Sequence, residues 1–214
     1  MEMTMNDNAP PKWRKHLVGL AVGMTTGIVG AAAGIRLIES GTLGEFGGSQ
    51  VAAAAVGLVY LLTGMAVAAG LVSPKLGAHF LNVSDAEELR EQRKLLGLSA
   101  FSMVLSALAL FVLASAGVMQ PSLALGLAIA LLAPTIVLGI AQRRLMDELL
   151  RQVSSEAGSA AFYLTMVFGG GWSVLAHLGF VPAAAPLDWI TMLFAVALIA
   201  AFAAAGSRGL LNPR

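Results

Sequence analysis

Six stretches of this chain are each long and apolar enough to cross a bilayer as an α-helix, which takes about 20 residues. They are Leu17–Ile38, Val51–Val72, Leu98–Val118, Ser122–Ala141, Ser159–Phe180 and Asp188–Gly206. Within these limits only Arg36 and Asp188 are charged, and both sit at span ends. The apolar runs are continuous rather than alternating, and Ala, Leu and Gly dominate them, so a β-barrel does not fit. The spacing predicts an all-α, polytopic membrane protein of six transmembrane helices arranged as three hairpins. Composition agrees. The chain is 57% hydrophobic and 12% charged, whereas a soluble domain carries roughly 25% charged residues. That leaves too little polar surface for a water-soluble globule, and hydrocarbon solvent removes the need for it.

Lys and Arg set the expected orientation. Twelve of the 13 basic residues fall on one side: Lys12, Arg14 and Lys15; Lys75, Arg90, Arg93 and Lys94; Arg143, Arg144 and Arg151; Arg208 and Arg214. The opposite connections, around Gly41–Gln50, Met119–Pro121 and Val181–Pro186, contain none. The expected layout is a cytoplasmic segment 1–16, a single membrane domain 17–206 and a cytoplasmic tail 207–214. Ala/Gly-rich spans with minimal loops point to a cell membrane, specifically a bacterial inner membrane. The basic start, the apolar run and Ala31-Ala32-Ala33 also fit a cleavable signal peptide, in which case five spans remain.

The two longer inner connections read as helix starts. Ser84-Asp85-Ala86-Glu87 has the form of a capping box, with Glu87/Arg90 and Glu91/Lys94 pairs behind it. Asp147, Glu148 and Arg151 repeat the scheme. Ser73–Gly97 holds four basic and four acidic residues, and Gln142–Gly158 three of each, so neither is an uncompensated lipid-binding cluster. Arg90, Gly97 and Phe101 recur as Arg151, Gly158 and Phe162 at a constant offset, which suggests duplicated hairpins.

Packing signals are plentiful. Gly19, Gly23, Gly27, Gly30 and Gly34 form one helical stripe, of the kind that lets membrane helices approach closely. Ala53, Gly57, Gly64 and Ala68 in the second span offer a complementary stripe. Candidates for a substrate path are Pro134 in span four and Gly169, Gly170 and Gly171 in span five. All should weaken the helical ladder near mid-depth, where transporters place broken-helix sites. Arg36 and Glu39, one turn apart at the outer end of span one, are candidates for snorkelling or for contact with an anion or headgroup.

Chemistry is sparse. With no cysteine, disulfides, iron–sulfur clusters and thiolate metal sites are excluded. His16, His79 and His177 are too scattered for a three-histidine metal site. His177 and Met192 share a depth, but ten methionines produce such a pairing by chance. No cofactor is expected, and no midplane carboxylate marks ion coupling. The deep polar groups are the hydroxyls of Thr25, Thr26, Thr63, Ser106, Thr135, Thr165 and Ser173. A net charge of +1 argues against nucleic acid as a partner. The expected partners are the bilayer and another membrane protein or a second copy of the chain. The expected function is a non-enzymatic membrane subunit or scaffold, with a small passive facilitator or transporter of an uncharged or lipid-like solute as the alternative.

Overall fold

A computed structural model of the chain describes residues 36, 47–72 and 86–208. All elements among these are helical. They are α1 (Gly48–Val72), α2 (Ala86–Ala114), a 3-10 turn (Ala116–Val118), α3 (Pro121–Leu145), α4 (Glu148–Thr165), a π turn (Met166–Gly170), α5 (Gly171–His177) and α6 (Pro186–Ser207). Five helices are long and apolar enough to cross a membrane: Gly48–Val72, Gln92–Ala114, Pro121–Leu145, the continuous rod Glu148–His177, and Pro186–Ser207. Of the expected first span only Arg36 is described, and it is helical and exposed. Glu39, the glycine stripe Gly19–Gly34 and the Ser84 capping box lie outside the described residues.

Local chemistry accounts for the ends, several of which differ from the expected limits. Asp147 caps the rod, accepting the Leu150 N–H at 2.7 Å, so the helix starts well before Ser159. Glu148 and Arg151 pair at 3.6 Å on its first turn. The rod stops at His177 rather than Phe180 because Gly179 takes φ +80°. Phe180 N–H then bonds Leu175 C=O at 2.9 Å and Gly179 N–H bonds Ala176 C=O at 3.1 Å, the glycine-dependent C-terminal motif. Pro121 and Pro186 open α3 and α6, where the missing N–H costs nothing. Asp188 accepts the Ala185 N–H at 2.8 Å. α2 ends before Val118, where the ladder tightens to i−3 bonds from Val118 N–H to Ser115 C=O at 3.1 Å and from Met119 N–H to Ala116 C=O at 3.3 Å.

The helices stand in a row. α3 packs on α2, α2 on α1, α1 on α6, and α6 on the α4 rod. α2 and α6 also touch, so the row bends around α1. Basic residues gather at one end, where α2 starts (Arg93, Lys94), α3 finishes (Arg143, Arg144) and α4 begins (Arg151). Arg208, at the end of α6, pairs with Glu156 on α4 and ties that helix to the same end.

Small residues hold the row together. Ala53, Ala107, Ala109, Leu110 and Ala200 are fully buried, and Leu110 is the largest of them. Gly57 lies under Ala107, Leu110 and Phe111; Gly64 lies under Ala100, Met103 and Val104. Lipid tails are as apolar as leucine, so close backbone approach supplies the attraction that water would otherwise drive. The small stripe of α1 thus meets α2 at Gly57 and Gly64, Ala68 is exposed, and the glycine stripe expected to complement it lies outside the described residues. Tyr60 cross-links the other face. Its hydroxyl donates to the Phe194 carbonyl at 2.9 Å, and its ring meets Phe194 edge-on at 5.5 Å. Tyr60→Phe should cost about 0.5–1 kcal/mol, the worth of one such bond in a membrane bundle. Thermal unfolding in mild detergent measures it.

The outer surface is apolar. Ile129, Ile136, Val137 and Ile140 on α3, and Phe162, Met166, Val167 and Phe168 on the rod, are all exposed. Bilayer hydrocarbon solvates such a surface where water would not.

Candidate functional site

The bend in the row creates a cleft with α1 at its back. α2 and α3 form one wall and α6 the other. Its volume is about 460 Å³, and it is lined by Tyr60, Ser99, Ser102, Met103, Ser106, Thr135, Gln142, Leu193, Phe194 and Ala197. That falls within the range of roughly 300–1,000 Å³ typical of small-molecule sites.

Helical periodicity builds the polar wall. Ser99, Ser102 and Ser106 follow the i, i+3, i+7 pattern that puts side chains on one helix face. Thr135 and Gln142, seven apart, do the same on α3. The other wall is apolar: Leu193, Phe194 and Ala197 recur at helical spacing on α6, and Met103 joins them from α2. Ser106 lies roughly 20 Å along α2 from Gln92, at about 1.5 Å per residue, near the middle of the bundle. Gln142 lies beside Arg143 and Arg144 at the basic end. The hydroxyls thus run from mid-bundle to the charged end. Among the described helices α3 and α6 are not packed along their length, which leaves a lateral gap between them.

Hydrogen bonding divides the polar wall in two. Ser99 donates to Leu95 C=O at 3.0 Å, Thr135 to Leu132 C=O at 2.7 Å, and Tyr60 to Phe194 C=O at 2.9 Å. Hydroxyls that return to their own helix in this way are satisfied donors. Ser102, Ser106 and Gln142 have no side-chain hydrogen-bond partner among the described residues. Ser106 is only 6% exposed. A buried hydroxyl left without a partner costs about 1–3 kcal/mol, a cost that a bound molecule would remove.

Among the described residues the lining carries no carboxylate, histidine, lysine or arginine. Among the described residues no group of three or more His, Cys, Asp or Glu side chains could hold a metal ion. The described lining can solvate an uncharged molecule.

Comparison with known proteins gives no match: no family model, no curated protein and no solved structure is significantly similar to this chain.

The residues singled out from sequence fall in three places. Pro134 sits inside α3, which continues through it, one residue before the cleft-lining Thr135. Gly169–Gly171 lie at the π turn and the start of α5, at the far end of the row, so they and Pro134 do not form one site. At that turn the ladder widens rather than breaks, and only Gly169 is buried. A Cβ there would stand 2.7 Å from Trp189 Cζ3 and 2.9 Å from Met192 Cε, whereas Gly170 and Gly171 face open space. Trp189 therefore covers the glycine. The Trp172 indole donates to Pro182 C=O at 3.1 Å and is exposed. Arg36 is exposed, and its expected partner Glu39 is outside the described residues.

Ser106 and Thr135 were legible as deep hydroxyls. Ser99, Ser102, Gln142 and Tyr60 were not singled out. The serine spacing on α2 was the available signal, because three hydroxyls on one face of a spanning helix imply a polar neighbour or cavity.

Proposed function

We propose that this protein is a non-enzymatic membrane facilitator that takes an uncharged, hydrogen-bonding molecule into the cleft between α2, α3 and α6. One observation carries the reading: a ladder of hydroxyls without ionisable company among the described lining residues, inside a bundle that is otherwise mostly apolar. Ion-coupled transporters place carboxylates or histidines at this depth; a neutral lining suits a neutral solute. The positive-inside rule puts the basic end, with Gln142 at the cleft's mouth, in the cytoplasm. Loops as short as these suit a bacterial inner membrane.

The test is flux through vesicles of purified protein, using glycerol, urea and a long-chain alcohol as uncharged probes. At least one probe should cross several-fold faster than through protein-free lipid. Ala197→Trp, which fills the cleft from an exposed position on α6, should return that probe to the lipid-only rate. If all probes cross at the lipid-only rate, the facilitator reading is wrong.

A second reading has its own support. Among the described spanning helices the α4 rod packs chiefly on α6 and leaves Phe162, Tyr163, Met166, Val167 and Phe168 exposed. A membrane subunit or scaffold would present such a helix to a second copy or to another membrane protein. A stoichiometric partner in a mild-detergent pull-down from native membranes would favour it.

A further inference from the structure

Ser106 is the buried donor that the described fold leaves unmet. It sits at mid-bundle, 6% exposed, on the wall of the cleft, while Ser99, Thr135 and Tyr60 beside it are spent on carbonyls. Among the described residues Ser102, Ser106 and the Gln142 amide are thus the cleft's unpaired donors, and what they lack is an oxygen acceptor. Facing them, Leu193, Phe194 and Ala197 offer only apolar contact. No charged side chain lines the space among the described residues, so a charged ligand would be desolvated there without a partner from them. Among the described residues no helix closes the lateral gap between α3 and α6.

We infer that the cleft binds a neutral, oxygen-bearing amphiphile drawn from the bilayer. Its hydroxyl or carbonyl oxygen accepts from Ser106 Oγ, and its apolar body lies along Leu193, Phe194 and Ala197. This rests on the facilitator reading of the cleft and names the class of molecule it takes. Ser102 on α2 and Gln142 on α3 offer further donors toward the basic end, which gives the polar group a stepwise path along the cleft.

The experiment is photolabelling of the full chain in lipid vesicles with a long-chain alcohol carrying a diazirine. The matched diazirine alkane serves as control, and labelled residues are mapped by mass spectrometry. The alcohol should label Leu193, Phe194 and Ala197 in preference to the lipid-facing Ile129 and Ile136. In Ser106→Ala, alcohol labelling of the cleft should fall about fivefold, the worth of one net hydrogen bond. Alkane labelling should not change, which shows that the cleft is still formed. Equal labelling by alcohol and alkane, or an alcohol signal indifferent to Ser106→Ala, would overturn the inference. So would a benzophenone side chain placed at Leu193 that cross-links to residues 17–38 of the same chain, since a protein segment would then occupy the cleft. If the alcohol fails but Ala197→Trp still blocks glycerol or urea flux, the facilitator reading stands and only the ligand class is lost.

Discussion

Gly64→Leu should destabilise the bundle by about 2–3 kcal/mol, the upper range for forcing extra atoms into a packed interface. A Cβ at Gly64 would stand 3.1 Å from both Ala100 O and Met103 Cβ, and 3.2 Å from Val104 Cγ2. Two of these atoms belong to the backbone of α2 or are fixed rigidly to it, so no rotamer change makes room and the helices must separate. Gly57→Leu meets the same obstacle at Ala107 O and Leu110 Cβ, each 3.2 Å away. Gly126 and Gly139 on α3 have nothing within 4 Å of the added atom. Ala at either should be neutral or slightly stabilising, because a helical glycine is the poorer helix former by about 1 kcal/mol. Thermal unfolding in one detergent ranks all four. If Gly64→Leu melts with the Gly126 and Gly139 variants, α1 and α2 are not in the contact described.

Gly169→Leu should loosen the rod from α6, by about 1–2 kcal/mol, while Gly170→Leu and Gly171→Leu change little. The obstacle is the Trp189 ring edge at 2.7 Å and the Met192 methyl at 2.9 Å. Trp189 is 37% exposed, so it can swing toward lipid, which is why the loss is smaller than at Gly64. Indole fluorescence should report that swing. Trp189→Ala should restore stability to Gly169→Leu, since it removes the clashing ring. If all three glycine variants lose stability equally, the loss comes from helix propensity and not from a fit between Gly169 and Trp189.

Much of the fold could be read from the chain because the bilayer leaves few choices. Uninterrupted apolar runs must be helices that satisfy their own backbone, so the five described spans fall close to their expected places. Their ends moved where capping chemistry overrode hydropathy. Asp147 starts a helix in polar sequence, and Gly179 stops one in apolar sequence. Neighbour choice was less legible. The small stripe of α1 suits any helix that can approach closely, and spacing does not say which one does; Gly57 and Gly64 meet α2. The cleft was half-visible. Ser106 and Thr135 stood out as deep hydroxyls, but joining them to Tyr60 requires knowing that α1 lies between α2 and α6, a contact between segments far apart in sequence. The three consecutive glycines looked alike on paper and differ in space, because only Gly169 faces Trp189.

Thiol accessibility tests the central claim, a polar cleft that opens toward the basic end of an apolar bundle, most directly. The chain has no cysteine of its own, so single cysteines can be placed at Ser99, Ser102 and Ser106 in the cleft, and at Ile129, Ile136 and Val174 on the outer face. A membrane-impermeant maleimide reacts only where water reaches a thiolate. The expected result is labelling of the three cleft positions from the side of Arg143 and Arg144, declining from Ser99 to Ser106, with the outer-face positions inert from both sides. Cleft cysteines as inert as Ile136→Cys from both sides would contradict it, and would make the serine face of α2 a dry packing surface.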